Sequence, residues 1–284
     1  MEPQSSSASG GTTHPERPLE AALSVCTWNV NSLKIRMAQL EQLLEIRKWD
    51  LVCLQETKTT DPSFPDARFE QLGYRAIHLG QPGYNGVAIL ARQDTVSEFR
   101  CVQAGLAAFD DPQQRFVVAQ ADAILIASAY VPNGQSLDSE KFVYKLRWLE
   151  ALHGTVLSAG WAKQPFILAG DFNIAPDDRD VHDPALWEGQ VLCSETERDA
   201  YRKLLRTGLH DALRLHDAHQ GRYSWWDYRQ LAFQRNRGLR IDHILLSDAL
   251  RESCSACEIL REARKAEKPS DHAPVVASFR RRAD

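Results

Sequence analysis

Apolar residues along the chain fall in short runs rather than long stripes. Runs rich in β-branched and aromatic residues recur at Leu23–Val30, Leu51–Leu54, Gly86–Ala91, Phe116–Ala121, Ile124–Val131, Phe166–Ala169, Ile241–Leu246 and Pro274–Phe279, and each predicts a strand. Three other stretches carry a helical period. Ile35–Ile46 puts Leu40, Leu43 and Leu44 on one stripe, Ser139–Leu157 does the same with Phe142, Leu146, Leu149 and Leu152, and Glu195–Arg206 ends at Thr207-Gly208, a C-terminal stop. Helices this few cannot alternate strictly with the strands. The pattern therefore predicts two packed sheets with helices on their outer faces, an α/β layered sandwich. No internal repeat appears and no polar linker follows residue 21, so residues 22–284 read as a single domain.

Composition supports a folded chain with one exception. At 284 residues, 43% hydrophobic and 25% charged, there is enough apolar material for a sizeable core. Met1–Glu20, however, is rich in Ser, Gly, Thr and Pro and has no apolar run to offset the entropy of ordering, so residues 1–21 are expected to form a disordered tail. The tail has no apolar stretch of signal-peptide length and no later stretch reaches membrane-spanning length, which predicts a cytoplasmic protein without a membrane partner. The six cysteines lie mostly among apolar neighbours, as reduced core thiols do. Cys254 and Cys257 form a C-x-x-C, but without a second pair or a His at finger spacing they lack the ligand count of a zinc site.

A net charge of −4 argues against a protein that coats nucleic acid nonspecifically. A local basic rim is still available from Lys34, Arg36, Lys58, Arg229, Arg235, Arg237, Arg240 and Lys268.

The chemistry lies in where polar residues meet the apolar runs. Asn29 and Asn31 close the first strand, Glu56 follows the second, and Asp171 and Asn173 follow Phe166–Ala169, all at C-terminal ends. Asp242 opens one strand and Asp271-His272 precedes the last, both at N-terminal ends. If strands run both ways within the sheets, all of these groups line one rim. Carboxylates crowded together resist ionisation unless a cation is present. An all-oxygen set with a single imidazole suits Mg²⁺, with Mn²⁺ able to substitute, better than zinc.

Eight segments in order resemble the exonuclease III and AP (apurinic/apyrimidinic) endonuclease branch of the endonuclease/exonuclease/phosphatase superfamily, over Cys26 to Phe279. They are Trp28-Asn29-Val30-Asn31, Leu54-Gln55-Glu56-Thr57-Lys58, Tyr84-Asn85-Gly86-Val87-Ala88, Tyr130-Val131-Pro132-Asn133-Gly134, Gly170-Asp171-Phe172-Asn173-Ile174-Ala175-Pro176, Tyr223 to Arg229, Gly238 to Asp242, and Pro269 to Pro274. The resemblance implies a four-layer α/β/β/α sandwich of two mixed sheets in one nuclease domain. It also implies that Glu56 binds the metal, helped by Asn31 and Asp271. Asp171 would orient or deprotonate the attacking water, Asn173 would hold Asp171 and the phosphate, and Asn29 would support both. His272, steadied by Asp242, would donate to charge developing on phosphorus, and Tyr130 and Asn133 would contact the phosphate. Lys58, Tyr84, Asn85 and Arg229 would meet DNA, and Trp225, Leu239 and Ile241 would form an apolar pocket for a sugar lacking its base.

The implied substrate is double-stranded DNA with abasic sites or 3′-blocked nicks, cleaved by a monomer in base excision repair. Leu192, in Val191-Leu192-Cys193-Ser194, aligns with a loop near the sugar pocket where bulk resembles members that process only 3′ ends. End processing is therefore the firmer expectation and internal incision the second. A superfamily phosphatase on non-DNA substrates would share the acids but lack the Trp225–Arg229 loop. A non-catalytic descendant would have lost one of Glu56, Asp171, Asp242 or His272, and all four are present.

Overall fold

A computed structural model describes residues 23–280, so the expected tail over residues 1–21 lies outside the described residues. In chain order the strands are β1 (Leu23–Asn29), β2 (Leu51–Gln55), β3 (Tyr74–Leu79), β4 (Val87–Arg92), β5 (Phe99–Ala104), β6 (Phe116–Ala121), β7 (Ile124–Tyr130), β8 (Phe166–Asp171), β9 (Leu209–Asp211), β10 (Asp242–Ser247), β11 (Cys254–Ile259) and β12 (Val275–Phe279). The helices are α1 (Leu33–Arg47), α2 (Asp66–Gln71), α3 (Glu140–Ser158), α4 (Pro184–Trp187), α5 (Glu195–Leu205), α6 (Ala212–His216) and α7 (Asp248–Arg251).

Two six-stranded sheets result, ordered β11-β12-β1-β2-β4-β3 and β5-β6-β7-β8-β10-β9. Only β1/β2 and β7/β8 pair parallel, joined through the crossover helices α1 and α3, and every other pairing is antiparallel. The sheets are mixed, as expected, and the order and direction of strands in one repeat those of the other. The sequence shows no such repeat, because the duplication is one of topology and not of residues.

Three apolar layers hold the four-layer stack. Val25, Cys53, Ile89, Val117, Ile167 and Ile244 fill the space between the sheets. Trp148, Leu149 and Leu152 of α3 and Tyr201 and Leu204 of α5 cover one outer face, while Leu40 and Leu44 of α1 and Phe69 of α2 cover the other. The α3 stripe is rotated from expectation: Leu146 is half-buried, and Lys145 and Trp148 turn inward instead. Cys254 and Cys257 are buried free thiols on β11.

Candidate active site

The mixed sheets do what the positions of the polar residues require. The C-terminal ends of β1, β2, β7 and β8 meet the N-terminal ends of β10 and β12 at one edge of the sandwich. Asp171 and Asp242 are direct cross-strand partners, as are Tyr130 and Asp171. Two like charges in that register repel. His272 relieves the repulsion, with Nδ1 2.9 Å from Asp242 Oδ2 and Nε2 3.8 Å from Asp171 Oδ2.

Asn29 is the hub. Fully buried, its Nδ2 donates to Glu56 Oε1 and to Asp171 Oδ2, each at 2.9 Å, while its Oδ1 accepts the Asn31 N–H. Asp171 also accepts the Asn173 backbone N–H at 2.9 Å. Asn173 in turn donates to the Val131 carbonyl at 3.0 Å and accepts from Asn133 Nδ2 at 3.0 Å. Asn31, Glu56, Lys58, Asn85 and Asn173 all have positive φ, between 43° and 53°. Backbone of this kind costs of order 1–3 kcal/mol per residue and persists only where surroundings hold it. Here Thr57 N–H donates to the Gly86 carbonyl and Lys58 N–H to that of Asn85. A Cβ on Gly86 would lie 2.2 Å from Thr57 Oγ1, so only glycine allows this approach.

The electrostatics separate the ionisable groups. Burial pushes the Asp171 carboxyl up to about 7; the Asp242 charge adds to this and the His272 charge opposes it. Burial would lower the His272 imidazole, but the carboxylates of Asp242 and Asp171 reverse this and raise it to about 10. For Glu56 burial acts upward, yet the Asn29 hydrogen bond and the Lys58 ammonium hold it below the usual carboxylate range. Asp271 is lowered too: burial opposes, while His272 and hydrogen bonds from Trp225 and Asn31 prevail.

Two donor groups invite a cation. Asp171, Asp242 and His272 cluster closely, but Asp242 already receives His272 and, at 2.6 Å, the Ser224 hydroxyl. That trio reads better as an orienting relay. Glu56, Asn31 and Asp271 present oxygens beside it. Lys58 Nζ rests 2.9 Å from Glu56 Oε2 and 2.5 Å from Asn31 Oδ1, a positive charge set among these oxygens. The site therefore fits a divalent ion on chemical grounds.

Of the other expected residues, Tyr84, Asn85, Tyr130 and Asn133 line a groove of about 720 Å³. Tyr84 is 74% exposed, whereas Asn85 is buried and bonded to Gln81 and Gln113. Trp225 is half-buried with Nε1 3.0 Å from Asp271 Oδ2, and Arg229 is exposed and paired with Asp227. Leu239 and Ile241 are fully buried behind Trp225 in an apolar cluster.

Two residues of the expected basic rim are not on it. Arg240 is buried between Asp180 at 2.6 Å and Asp211 at 2.8 Å. Arg36 is buried against the Tyr228 hydroxyl and the Pro269 carbonyl. Each sits inside because acceptors there replace its hydration. Three residues at the site escaped the sequence reading. Ser224 bonds Asp242, Arg115 stacks 4.5 Å over the Tyr130 ring, and Lys145 donates to the carbonyls of Asn133 and Asn173. Only Lys145 left a trace, as a lysine three residues from Phe142 on a buried helix face.

A carboxylate and imidazole cluster at the meeting edge of two stacked mixed sheets is the arrangement of a hydrolase. A sequence model of the Endonuclease/Exonuclease/phosphatase family matches residues 26–272, and the chain belongs to that family. Exodeoxyribonuclease III of Haemophilus influenzae is 36% identical over 267 residues, covering 89% of this chain and 98% of that one. A 3′ phosphatase from Neisseria bound to product DNA hairpin superimposes with a TM-score of 0.86 at 40% identity, covering 90% of this chain and 99% of the other. An AP endonuclease from Archaeoglobus fulgidus gives 0.87 at 38% identity, with coverage of 90% and 99%. Within the family the chain is a hydrolase of the exonuclease III and AP endonuclease branch.

Proposed function

We propose that this chain is a Mg²⁺-dependent DNA repair nuclease that hydrolyses phosphodiesters at blocked 3′ ends and at abasic sites in duplex DNA. The observation that carries the reading is Asn29, which ties a depressed carboxylate, Glu56, to a raised one, Asp171, that faces His272. Asp171, near neutrality in pKa, takes the proton from the attacking water. Asn173, Asn133 and Tyr130 hold the phosphate in line. His272, kept protonated by Asp242, donates to the oxygens on which charge develops. Glu56, Asn31 and Asp271 would hold Mg²⁺, with Mn²⁺ as a substitute, and the ion would supply positive charge beside the phosphate. Lys58, Tyr84 and Arg229 contact the duplex, and Asn85, bonded to Gln81 and Gln113, shapes the groove beside Tyr84. The protein acts as a monomer in the cytoplasm.

End processing is favoured over internal incision by Leu192. It is 4% exposed at φ 77° and packs with Leu239 and Ile241 where a base-free sugar would enter. Its N–H donates to Glu197 at 3.0 Å and its carbonyl accepts from Ala175 at 2.8 Å, so the plug is tied at both sides. A panel of duplexes carrying an internal abasic site, a 3′-phosphate or a 3′-phosphoglycolate, with Mg²⁺ and with EDTA, tests both parts. Processed ends with Mg²⁺ and none with EDTA are expected. Inert 3′ ends in Mg²⁺ refute the proposal, and an intact internal site beside processed ends removes the endonuclease half.

A further inference from the structure

A second cavity, of about 490 Å³, opens beside the rim between residues 182–187 and the 225–237 loop. Its size lies within the range of small-molecule sites, about 300–1,000 Å³. Trp187, Trp225 and His182 form its aromatic wall, and Arg229 and Arg237 contribute its positive charge.

The surroundings narrow what it can hold. Trp225 belongs to both the cavity and the rim, since its backbone pairs with His272 and its indole donates to Asp271. Behind Trp225 the apolar cluster is shut, with Leu192 at 4%, Ile241 at 1% and Leu239 at 0% exposure, and cannot admit a nucleotide that retains its base. Trp187 stands edge-on to His182 at 6.4 Å. The acids in the wall are already engaged, Asp227 by Arg229 at 2.7 Å and Asp183 by the Leu186 N–H. The Arg237 side chain makes no hydrogen bond or ion pair among the described residues.

We propose that this cavity receives the base of the 3′-terminal nucleotide during exonucleolytic release, an inference that rests on the function proposed above. Aromatic walls accept any base by face stacking, and each base has carbonyl or ring-nitrogen acceptors for Arg237. The step is hydrolysis: the water oxygen bonds to phosphorus, its proton passes to Asp171, the bond from phosphorus to the 3′ oxygen breaks, and that oxygen takes up a proton. The nucleotide departs as a 5′-monophosphate with its base in the cavity.

The test compares two duplexes that differ only at the end, one with a normal 3′ nucleotide and one with a 3′-phosphate, which offers no base. With Mg²⁺, Trp187→Leu is expected to lower kcat/KM for nucleotide release about tenfold more than for phosphate release, and Trp187→Phe to recover most of that difference. Equal losses on both substrates overturn the subsite. A parent protein inert on both ends instead refutes the functional proposal, so the two failures are distinct. A second measurement needs no variant. With binding saturated in EDTA, 2-aminopurine at the 3′ terminus should be quenched by the parent protein while the same base deep in the duplex is not; an unquenched terminus also overturns the subsite.

Discussion

Replacing Lys145 with methionine removes the only cation from the most enclosed ion pair of the site. Lys145 and Glu197 are both fully buried, and the ammonium donates to Glu197, to the Asn133 carbonyl at 3.1 Å and to the Asn173 carbonyl at 2.6 Å. Removing one partner of a buried pair strands the other charge, at about 3–5 kcal/mol. That is a large share of a typical domain stability of about 5–15 kcal/mol. Glu197 still accepts from Leu192 and Ser194 N–H groups, which places the loss toward the lower figure. The double variant Lys145→Met, Glu197→Leu removes the stranded charge as well. It forfeits the Ser194–Glu197 capping box, worth about 1 kcal/mol, and should recover most of the rest. Urea unfolding of the parent, both single variants and the double variant measures this directly. A Lys145→Met cost below about 1 kcal/mol, or a double variant as unstable as the sum of the singles, would refute the reasoning.

Further outcomes follow from the same geometry. Asp171→Asn keeps the side-chain shape and the oxygen that accepts from the Asn173 N–H, so folding and DNA binding should persist while turnover falls at least about 10²-fold, read by 3′-phosphate release against melting temperature. Gly170→Ala would set a Cβ 1.9 Å from the Ala129 carbonyl oxygen, forcing β7 and β8 apart; a destabilisation of about 3 kcal/mol or more is expected by urea unfolding. His243 is buried and lowered to about 4, by burial first and then by Arg240. Between an ordinary value of about 6.5 and that lowered one, the unfolded chain binds a proton that the native state refuses, so stability falls as pH drops through this window, by up to about 3 kcal/mol. Relative to His243→Gln, the parent should lose stability between pH 7 and 5; parallel curves would show that His243 does not titrate this way.

The sequence pattern resolved the middle of each sheet and lost its margins. The strands it missed, β3, β5, β9 and β11, are the four edges. Edge strands are covered incompletely and carry polar or small residues, as in Phe99–Ala104, which is largely exposed, and Cys254–Ile259, so no apolar run marks them. The site was more legible. Its residues interrupt apolar runs at strand ends, and a polar residue there needs a reason that a surface residue does not. Arg36 and Arg240 misled because charge alone does not reveal a buried acceptor, and Lys145 and Ser224 went unnoticed because their partners are backbone carbonyls and an acid brought near only by folding.

The repeated topology explains why one edge collects this chemistry. In each sheet a parallel pair is followed by an antiparallel strand on the same side, β1-β2-β4 in one and β7-β8-β10 in the other. The sheets stack with β1 against β8 and β2 against β7. Hydrogen bonds cross at both places, from Asn29 to Asp171 and from Gln55 to Ser128 at 3.0 Å. Gln55 at the end of β2 therefore matches Asp171 at the end of β8, and Glu56 is the next residue after Gln55. Their surroundings differ through the next strand over. Beside Asp171, β10 brings Asp242, and with burial that lifts Asp171 to about 7. Opposite Gln55, just before Glu56, β4 begins with Val87 and brings no acid, and Asn29 and Lys58 draw the Glu56 carboxyl down. Two carboxylates that share the Asn29 amide are thus driven apart in pKa, one near neutrality and the other ionised well below it.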